Sequence, residues 1–359
     1  MGIKMKAGII GCGEIARGKH LPAIRKQGDI EVVAFCDSIV EKAKECRTLF
    51  DWPDAKVFTD YKELLKEDLD AVYVLTPNRE HSFISVDALY AGKHVLCEKP
   101  MAKTAEEAQQ MLLAAKETGK ILTVGYQNRY RPDAAYLKKA CMNGELGEIY
   151  VAKAHAIRRR ATPTWGVFLN EEEQGGGPLI DIGTHALDLT LWMMDNYEPQ
   201  MVLGSVYKKL GDQSETANAW GDVDPLKNTV EDSAFGFIKM KNGATIMLEA
   251  SWALNTLDVK EARTTLCGTL AGADMNEGLR INKVKYNKQV TEKPELDATN
   301  IPYFDGTGED EDIVEQQVFY RAVIEGEEPV VRPEQAYAVT RILEAIYKSA
   351  ESGNPVYME

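Results

Sequence analysis

"GIIGCGEIARGKH", residues 8–20, decides how the rest of the chain is read. Gly11-x-Gly13-x-x-Ala16 follows the apolar run "KAGIIG" directly and opens a stretch patterned as a helix. Gly11 permits a tight turn, Gly13 lets a pyrophosphate approach the backbone, and Ala16 keeps the helix close to the strand. The unpaired N–H groups at the start of that helix then face an anion. A lone G-x-G-x-x-A also occurs as a turn in unrelated α/β proteins, so its weight comes from its surroundings.

Outward from that stretch, short continuous runs rich in Val, Ile and Leu alternate with helical patterns. The runs are "EVVAFCD", "AVYVLT", "HVLCEK" and "ILTVGYQ", and the helical stretches lie near 14–28, 39–50, 79–92 and 105–119. Continuous apolar runs are how strands buried on both faces read. Thr104 and Glu107 form a capping box before the last helix. The alternation predicts an α/β doubly wound parallel sheet of Rossmann type. After about residue 128 the runs lengthen and lose their intervening helices: "IYVAKAHAIR", "QMVLGSVYKKL", "DSAFGFIKM" and "ATIMLEASWAL", with an Asn242-Gly243 hairpin between the last two. An open, mainly antiparallel sheet follows, with a helix from Pro178 set into it and two late helices near 311–325 and 333–352. The expected domains are 1–125, dinucleotide-binding, and 126–359, an α/β domain for substrate binding and oligomerisation.

The chain has 359 residues, 44% hydrophobic and 27% charged, with a net charge of −14. A net acidic chain is a poor partner for phosphate backbones, so nucleic acid is not expected. No apolar run reaches a membrane span and no apolar leader is visible, so no membrane partner is expected. Six cysteines without a C-x-x-C pair read as free thiols in a reducing, cytoplasmic setting.

Asp37 ends the second run. A carboxylate there accepts the ribose hydroxyls of NAD and repels a 2′-phosphate, or it caps the following helix. "CEKP", residues 97–100, places Lys99 at the carboxyl end of a strand, where ligands of open α/β sheets bind. "GGGPLIDIGTHALD", residues 175–188, is an apolar helix interrupted by Asp181, Thr184, His185 and Asp188. The spacing i, i+3, i+4, i+7 puts these four on one face. Such a stripe is a satisfied core pair, a metal site or a wet catalytic wall. No His-Glu or Cys cluster completes a metal site, so none is expected. His185 suits general base work near neutrality, with Asp181 beside it to orient or polarise it. The three glycines would let their loop pass close to a ligand. "RRRATPTWGVF", residues 158–168, reads either as a lid bringing Trp165 and an arginine, Arg158, to a bound substrate or cofactor, or as a solvated basic cluster with Trp165 as a core anchor. "NAWGDVD" around Trp220 carries no assignment.

"GIIGCGEIA", "CEKPMAKTAEEA", "GGGPLIDIGTHALDL", "VEDSA" and "LEASWA", in this order, resemble the glucose–fructose oxidoreductase/inositol dehydrogenase (Gfo/Idh/MocA) family along essentially the whole chain. The resemblance implies a Rossmann domain followed by an α/β domain, and catalytic roles for Lys99, Asp181 and His185. It implies NAD contacts at Gly11, Gly13, Glu14, Ile15, Asp37, Thr76, Asn78, His81, Glu98, Lys99 and Gln127. Substrate contacts are expected at Arg158, Trp165 and Thr184, the last standing where a larger apolar residue is expected in relatives. The implied activity is hydride transfer from a sugar or glycoside hydroxyl, favouring C3 of a β-glucoside with an aromatic aglycone against Trp165. An NAD-dependent glycoside hydrolase, an inositol dehydrogenase and a non-enzymatic nucleotide sensor are the alternatives. A homo-oligomer, a dimer or an assembly of dimers, is expected through the second sheet, whose strands would otherwise expose apolar residues.

Overall fold

Six parallel strands build the first sheet: β1 Met5–Ile10, β2 Ile30–Cys36, β3 Lys56–Phe58, β4 Ala71–Val74, β5 His94–Cys97 and β6 Leu122–Val124. The computed structural model describes residues 4–211, 213, 215–296 and 310–358. The strand order is β3-β2-β1-β4-β5-β6. The order reverses between β1 and β4, so the crevice beyond their carboxyl ends is the switch point where ligands of such sheets bind. β4 is buried at every position, as a strand covered on both faces must be. β3 was not expected from the sequence: "KVF" is three residues long and only half-buried, too short for a periodic signal.

Compactness does not follow a single cut at residue 125. Residues 1–130 cluster with 309–337, and residues 131–308 with 338–359. The helix Glu311–Ile324 clusters with the first unit. The reason is packing and pairing. Phe319 meets the Tyr73 ring edge-on at 5.4 Å, a contact worth about 0.5–1.5 kcal/mol beyond its buried area. Arg129, fully buried, donates to Val330 O at 2.9 Å and Gln335 Oε1 at 2.8 Å, and Thr123 donates to Val331 O at 2.9 Å.

The second unit carries a nine-stranded mixed sheet. Its strands are β7 Ile149–Ile157, β8 Pro199–Tyr207, β9 Ser233–Met240, β10 Thr245–Ser251, β11 Lys260–Gly268, β12 Ala271–Asp274, β13 Arg280–Lys285, β14 Lys288–Glu292 and β15 Val356–Tyr357. The order is β14-β13-β12-β11-β7-β10-β9-β8-β15, and only β7 with β10 is a parallel pair. β9 and β10 form the hairpin at Asn242-Gly243, where Gly243 takes φ +92°. The helix Thr184–Met194 packs on β7 and β11. Leu203, Phe237 and Met247 stand in register across β8, β9 and β10 and are all exposed, so they form one apolar row on a sheet face.

Candidate functional site

In the first unit the glycine loop is held from both sides. Gly11 sits at φ +96° and donates to Cys36 O at 2.9 Å, and a Cβ there would lie 2.5 Å from Leu75 O. Gly13 differs: a Cβ added to it meets nothing within 4 Å. The space over the loop is open, as a pyrophosphate would require. Asp37 accepts from Cys12 N through Oδ2 and from Ile39 N through Oδ1, both at 2.9 Å. It thus braces the loop and the turn into the helix Val40–Leu49, and each oxygen keeps acceptor capacity for a ribose hydroxyl. Glu14 and Ile15 are exposed at the start of the helix, whose next turn, Ala16–His20, is wound as a π-helix before Leu21–Gln27. These residues suit a dinucleotide, with phosphates at the helix N-terminus and ribose at Asp37.

The Lys99 turn rests on a buried charge cluster. Glu98 is buried, and its Oε1 accepts from Lys19 Nζ at 2.8 Å and lies 2.9 Å from His20 Nε2. Its Oε2 accepts from Lys99 N at 3.0 Å. Lys19 also pairs with Glu315 at 2.9 Å. Burial alone would raise the Glu98 pKa, but Lys19 and His20 outweigh it and hold the carboxylate well below its ordinary range. Burial pushes Glu315 up against the same lysine. The Glu98 side chain, expected among the NAD contacts, is committed to this cluster, and its N–H donates to Val74 O at 2.9 Å. The carbonyl is the group it has left for a ligand. His81 is likewise fully engaged, with Nδ1 2.8 Å from Pro100 O and Nε2 2.9 Å from Thr76 O. Burial first of all lowers its pKa, so it acts as a neutral brace between two loops. Thr76, Asn78, Lys99 and Gln127 are all half-buried at the ends of strands or the starts of helices.

In the second unit the glycines of "GGGPLIDIGTHALD" serve the protein interior. A Cβ on Gly177 would lie 2.4 Å from Glu231 O, and one on Gly176 2.0 Å from Tyr347 Oη. This packing gives Gly176 and Gly177 a structural reason to be glycine, whatever ligand the loop approaches. Glu231 accepts from Gly177 N at 2.8 Å, Leu179 N at 3.1 Å and Tyr347 Oη at 2.8 Å, capping the helix that follows. Burial raises its pKa above the ordinary carboxylate value in spite of those three donors.

That helix opens with a second π-helical turn, Leu179–Gly183. The wider winding keeps position i+4 on the face of position i and carries i+3 away from it. The expected four-residue stripe therefore splits. Asp181 is half-buried and accepts from Trp252 Nε1 at 3.1 Å, and His185 keeps 9% of its surface. Thr184 has 0% and Asp188 1%, so the side chain expected to contact substrate at 184 is fully buried. Arg158 pairs with Glu261 and lies over the Trp220 ring at 5.3 Å. Burial works against its charge, but Glu261 and, further off, Asp181 hold its pKa above the usual value. Trp165 is exposed and meets Trp220. Trp252, Trp220, Glu231 and Glu261 carried no role in the sequence reading. Only the resemblance of "VEDSA" and "LEASWA" pointed at two of them, because each acts through a partner far along the chain. Among the described residues no group of three or more His, Cys, Asp or Glu is arranged to hold a metal, and no helix is long and apolar enough to cross a membrane.

Comparisons with known proteins agree with this geometry. Residues 5–126 match the family profile of the oxidoreductase NAD-binding Rossmann fold, and residues 138–358 that of the oxidoreductase C-terminal alpha/beta domain. The chain is 34% identical over 353 residues to D-glucoside 3-dehydrogenase of Escherichia coli (strain K12), covering 98% of this chain and 97% of the relative. A solved levoglucosan dehydrogenase in complex with NADH and levoglucosan superposes with a TM-score of 0.82 at 23% identity, covering 99% of both chains. GenD2 from gentamicin A biosynthesis, in complex with NAD, gives 0.76 at 25% identity, covering 100% of this chain and 97% of that one.

Proposed function

The chain belongs to the Gfo/Idh/MocA oxidoreductase family, as a sugar oxidoreductase with an NAD-binding Rossmann domain, and we propose that it oxidises the C3 hydroxyl of a glucoside to a 3-keto sugar. The observation that carries the reading is the pairing of a full-length match to a D-glucoside 3-dehydrogenase with a helix on which Asp181 is half-buried and His185 keeps 9% of its surface, while Thr184 and Asp188 keep 0% and 1%. Bound NAD supplies the hydride acceptor. His185 takes the proton of the reacting hydroxyl, a neutral imidazole nitrogen being a proton acceptor suited to that step. Lys99, presented by a turn that Glu98 pins through its N–H, stabilises the developing alkoxide. Asp181, oriented by Trp252, accepts from a neighbouring hydroxyl. Asp37 favours NAD over NADP, because a carboxylate beside a 2′-phosphate is repelled. The test is to incubate the protein with methyl β-D-glucoside and NAD and locate the new carbonyl by NMR. A carbonyl at C3 supports the reading. A carbonyl elsewhere in the ring, oxidation of free inositols only, or cleavage of the glycoside without net redox change replaces it with one of the alternatives.

The exposed row Leu203, Phe237 and Met247 supports a homodimer through the second sheet. Light scattering at micromolar concentration returning a monomer mass overturns that part.

A further inference from the structure

Trp165 and Trp220 come from loops far apart in the chain, and both are exposed, at 44% and 42%. Their ring centroids lie 5.0 Å apart with planes at 83°. The meeting is built by polar bonds. Asn218 Nδ2 donates to Thr162 O at 3.0 Å, and its Oδ1 accepts from Thr162 N at 2.7 Å. Thr164 Oγ1 donates to Trp220 O at 2.5 Å. The pair is thus preorganised, although it leaves two indoles in water.

The pair also connects inward. Phe168 lies 5.8 Å from the Trp165 ring and 6.5 Å from that of Trp252, whose Nε1 donates to Asp181. Aromatic rings therefore run without a break from the acid on the candidate catalytic helix to the surface. Beside Trp165 a cavity of about 640 Å³ opens, lined by Leu169, Leu226, Glu171 and Glu172 among others. Trp220 carries the Arg158 guanidinium over its ring at 5.3 Å, so it holds Trp165 in place while the Trp165 ring meets an incoming aromatic group. The lining carboxylates disfavour an anion.

We propose that Trp165 and Trp220 form a subsite for a neutral aromatic aglycone of the glycoside substrate. The proposal rests on the reading that a glycoside is oxidised with Asp181 holding a sugar hydroxyl, and it adds which glycosides are taken. A substituent at C1 leaves the pyranose away from C3, so an aglycone on the aromatic run does not crowd the reacting carbon. Aryl glycosides then gain binding that a free sugar or a methyl glycoside lacks.

The experiment compares phenyl and methyl β-D-glucoside on the protein and on Trp165→Ala, Trp165→Phe and Trp220→Ala. The expected result is a kcat/KM for the phenyl substrate at least about tenfold above that for the methyl one, the scale of a well-placed aromatic contact. Trp165→Ala and Trp220→Ala lose that preference through KM, each raising KM at least about fivefold more for the phenyl substrate than for the methyl one, and Trp165→Phe keeps most of it. Equal losses on both substrates, or no preference in the native protein, overturn the proposal. So does a change of oligomeric mass in Trp165→Ala with the preference intact, which would make the pair a contact with a second copy. If neither glucoside is oxidised, the C3 reading fails on its own. Saturation-transfer NMR of phenyl β-D-glucoside still decides the subsite: aryl signals strong in the native protein and lost in Trp165→Ala support it, and signals unchanged by the variant end it.

Discussion

Two glycine-rich turns open two helices in this molecule, and both helices contain a π-helical turn, Ala16–His20 in one unit and Leu179–Gly183 in the other. On the page they look alike. In space they are opposites. Gly13 has nothing within 4 Å of a notional Cβ, while Gly177 has Glu231 O at 2.4 Å. One glycine leaves room for something the chain does not supply, and the other makes room for the chain itself. Glycine in a sequence marks a close approach, and only the fold says whether the visitor is a ligand or a backbone. The helices divide the labour in the same way. The first begins at a glycine open to its surroundings, where the N–H groups of a helix start suit an anion, and the second has Gly177 N and Leu179 N bound by Glu231.

The largest effects test that division. Lys99→Ala and His185→Ala are each expected to lower turnover on the order of 10²-fold or more while NAD binding by calorimetry stays near native. Near-native turnover in either variant removes that residue from the chemistry. Next, Gly13→Ala is expected to weaken NAD binding about tenfold or more with little change in Tm, because its Cβ enters open space. Gly177→Ala is expected to do the reverse, costing about 1–3 kcal/mol of stability, a drop of several degrees in Tm, with NAD binding retained. If the two variants behave alike, the contrast between the turns is wrong.

A smaller effect concerns selectivity. Asp37→Ala is expected to narrow the preference for NAD over NADP by about tenfold in calorimetric titrations. The native protein binding both equally removes Asp37 from the ribose site. The smallest is a pH effect in the first unit. Burial pushes the pKa of His94 down to about 4, and its Nδ1 accepts from Ile121 N at 3.0 Å, a bond that protonation destroys. A base with a depressed pKa contributes stability that is present above its unfolded value and lost as pH falls through the folded one. Chemical denaturation should therefore show stability falling from about pH 6.5 toward 4. His94→Gln, which keeps a neutral acceptor, should flatten that fall, and an unchanged slope contradicts the assignment.

The strands β1, β2, β4, β5 and β6 and the helices between them were legible because burial on both faces leaves continuous apolar runs. β11, β13 and β14 were not: "KEARTTLCG", "RINKVK" and "KQVTE" mix charged with apolar residues and carry no continuous apolar run, and their pairing partners supply what periodicity lacks. Asp181 and His185 were found as half of a four-residue stripe. The full burial of Thr184 was not legible, because a π-helical turn changes the phase without leaving a mark in residue type. The residence of 311–324 with the first unit was hidden for a similar reason, since Glu315 reads as a surface acid until Lys19 and Glu98 are seen beside it.

By itself the sequence determined the family, the parallel sheet with its phosphate turn, and the identity of Lys99, Asp181 and His185 as groups to watch, because periodicity and short motifs are local and survive being read in a line. The tertiary structure alone decided which polar residues are spent inside. Glu98, His81, Glu231 and Thr184 all look available in the chain and are all buried, three of them engaged by partners 19 to 116 residues away. It also decided that Trp165 and Trp220 meet. Burial and pairing between distant segments depend on the whole packed arrangement, and no window of the sequence contains them.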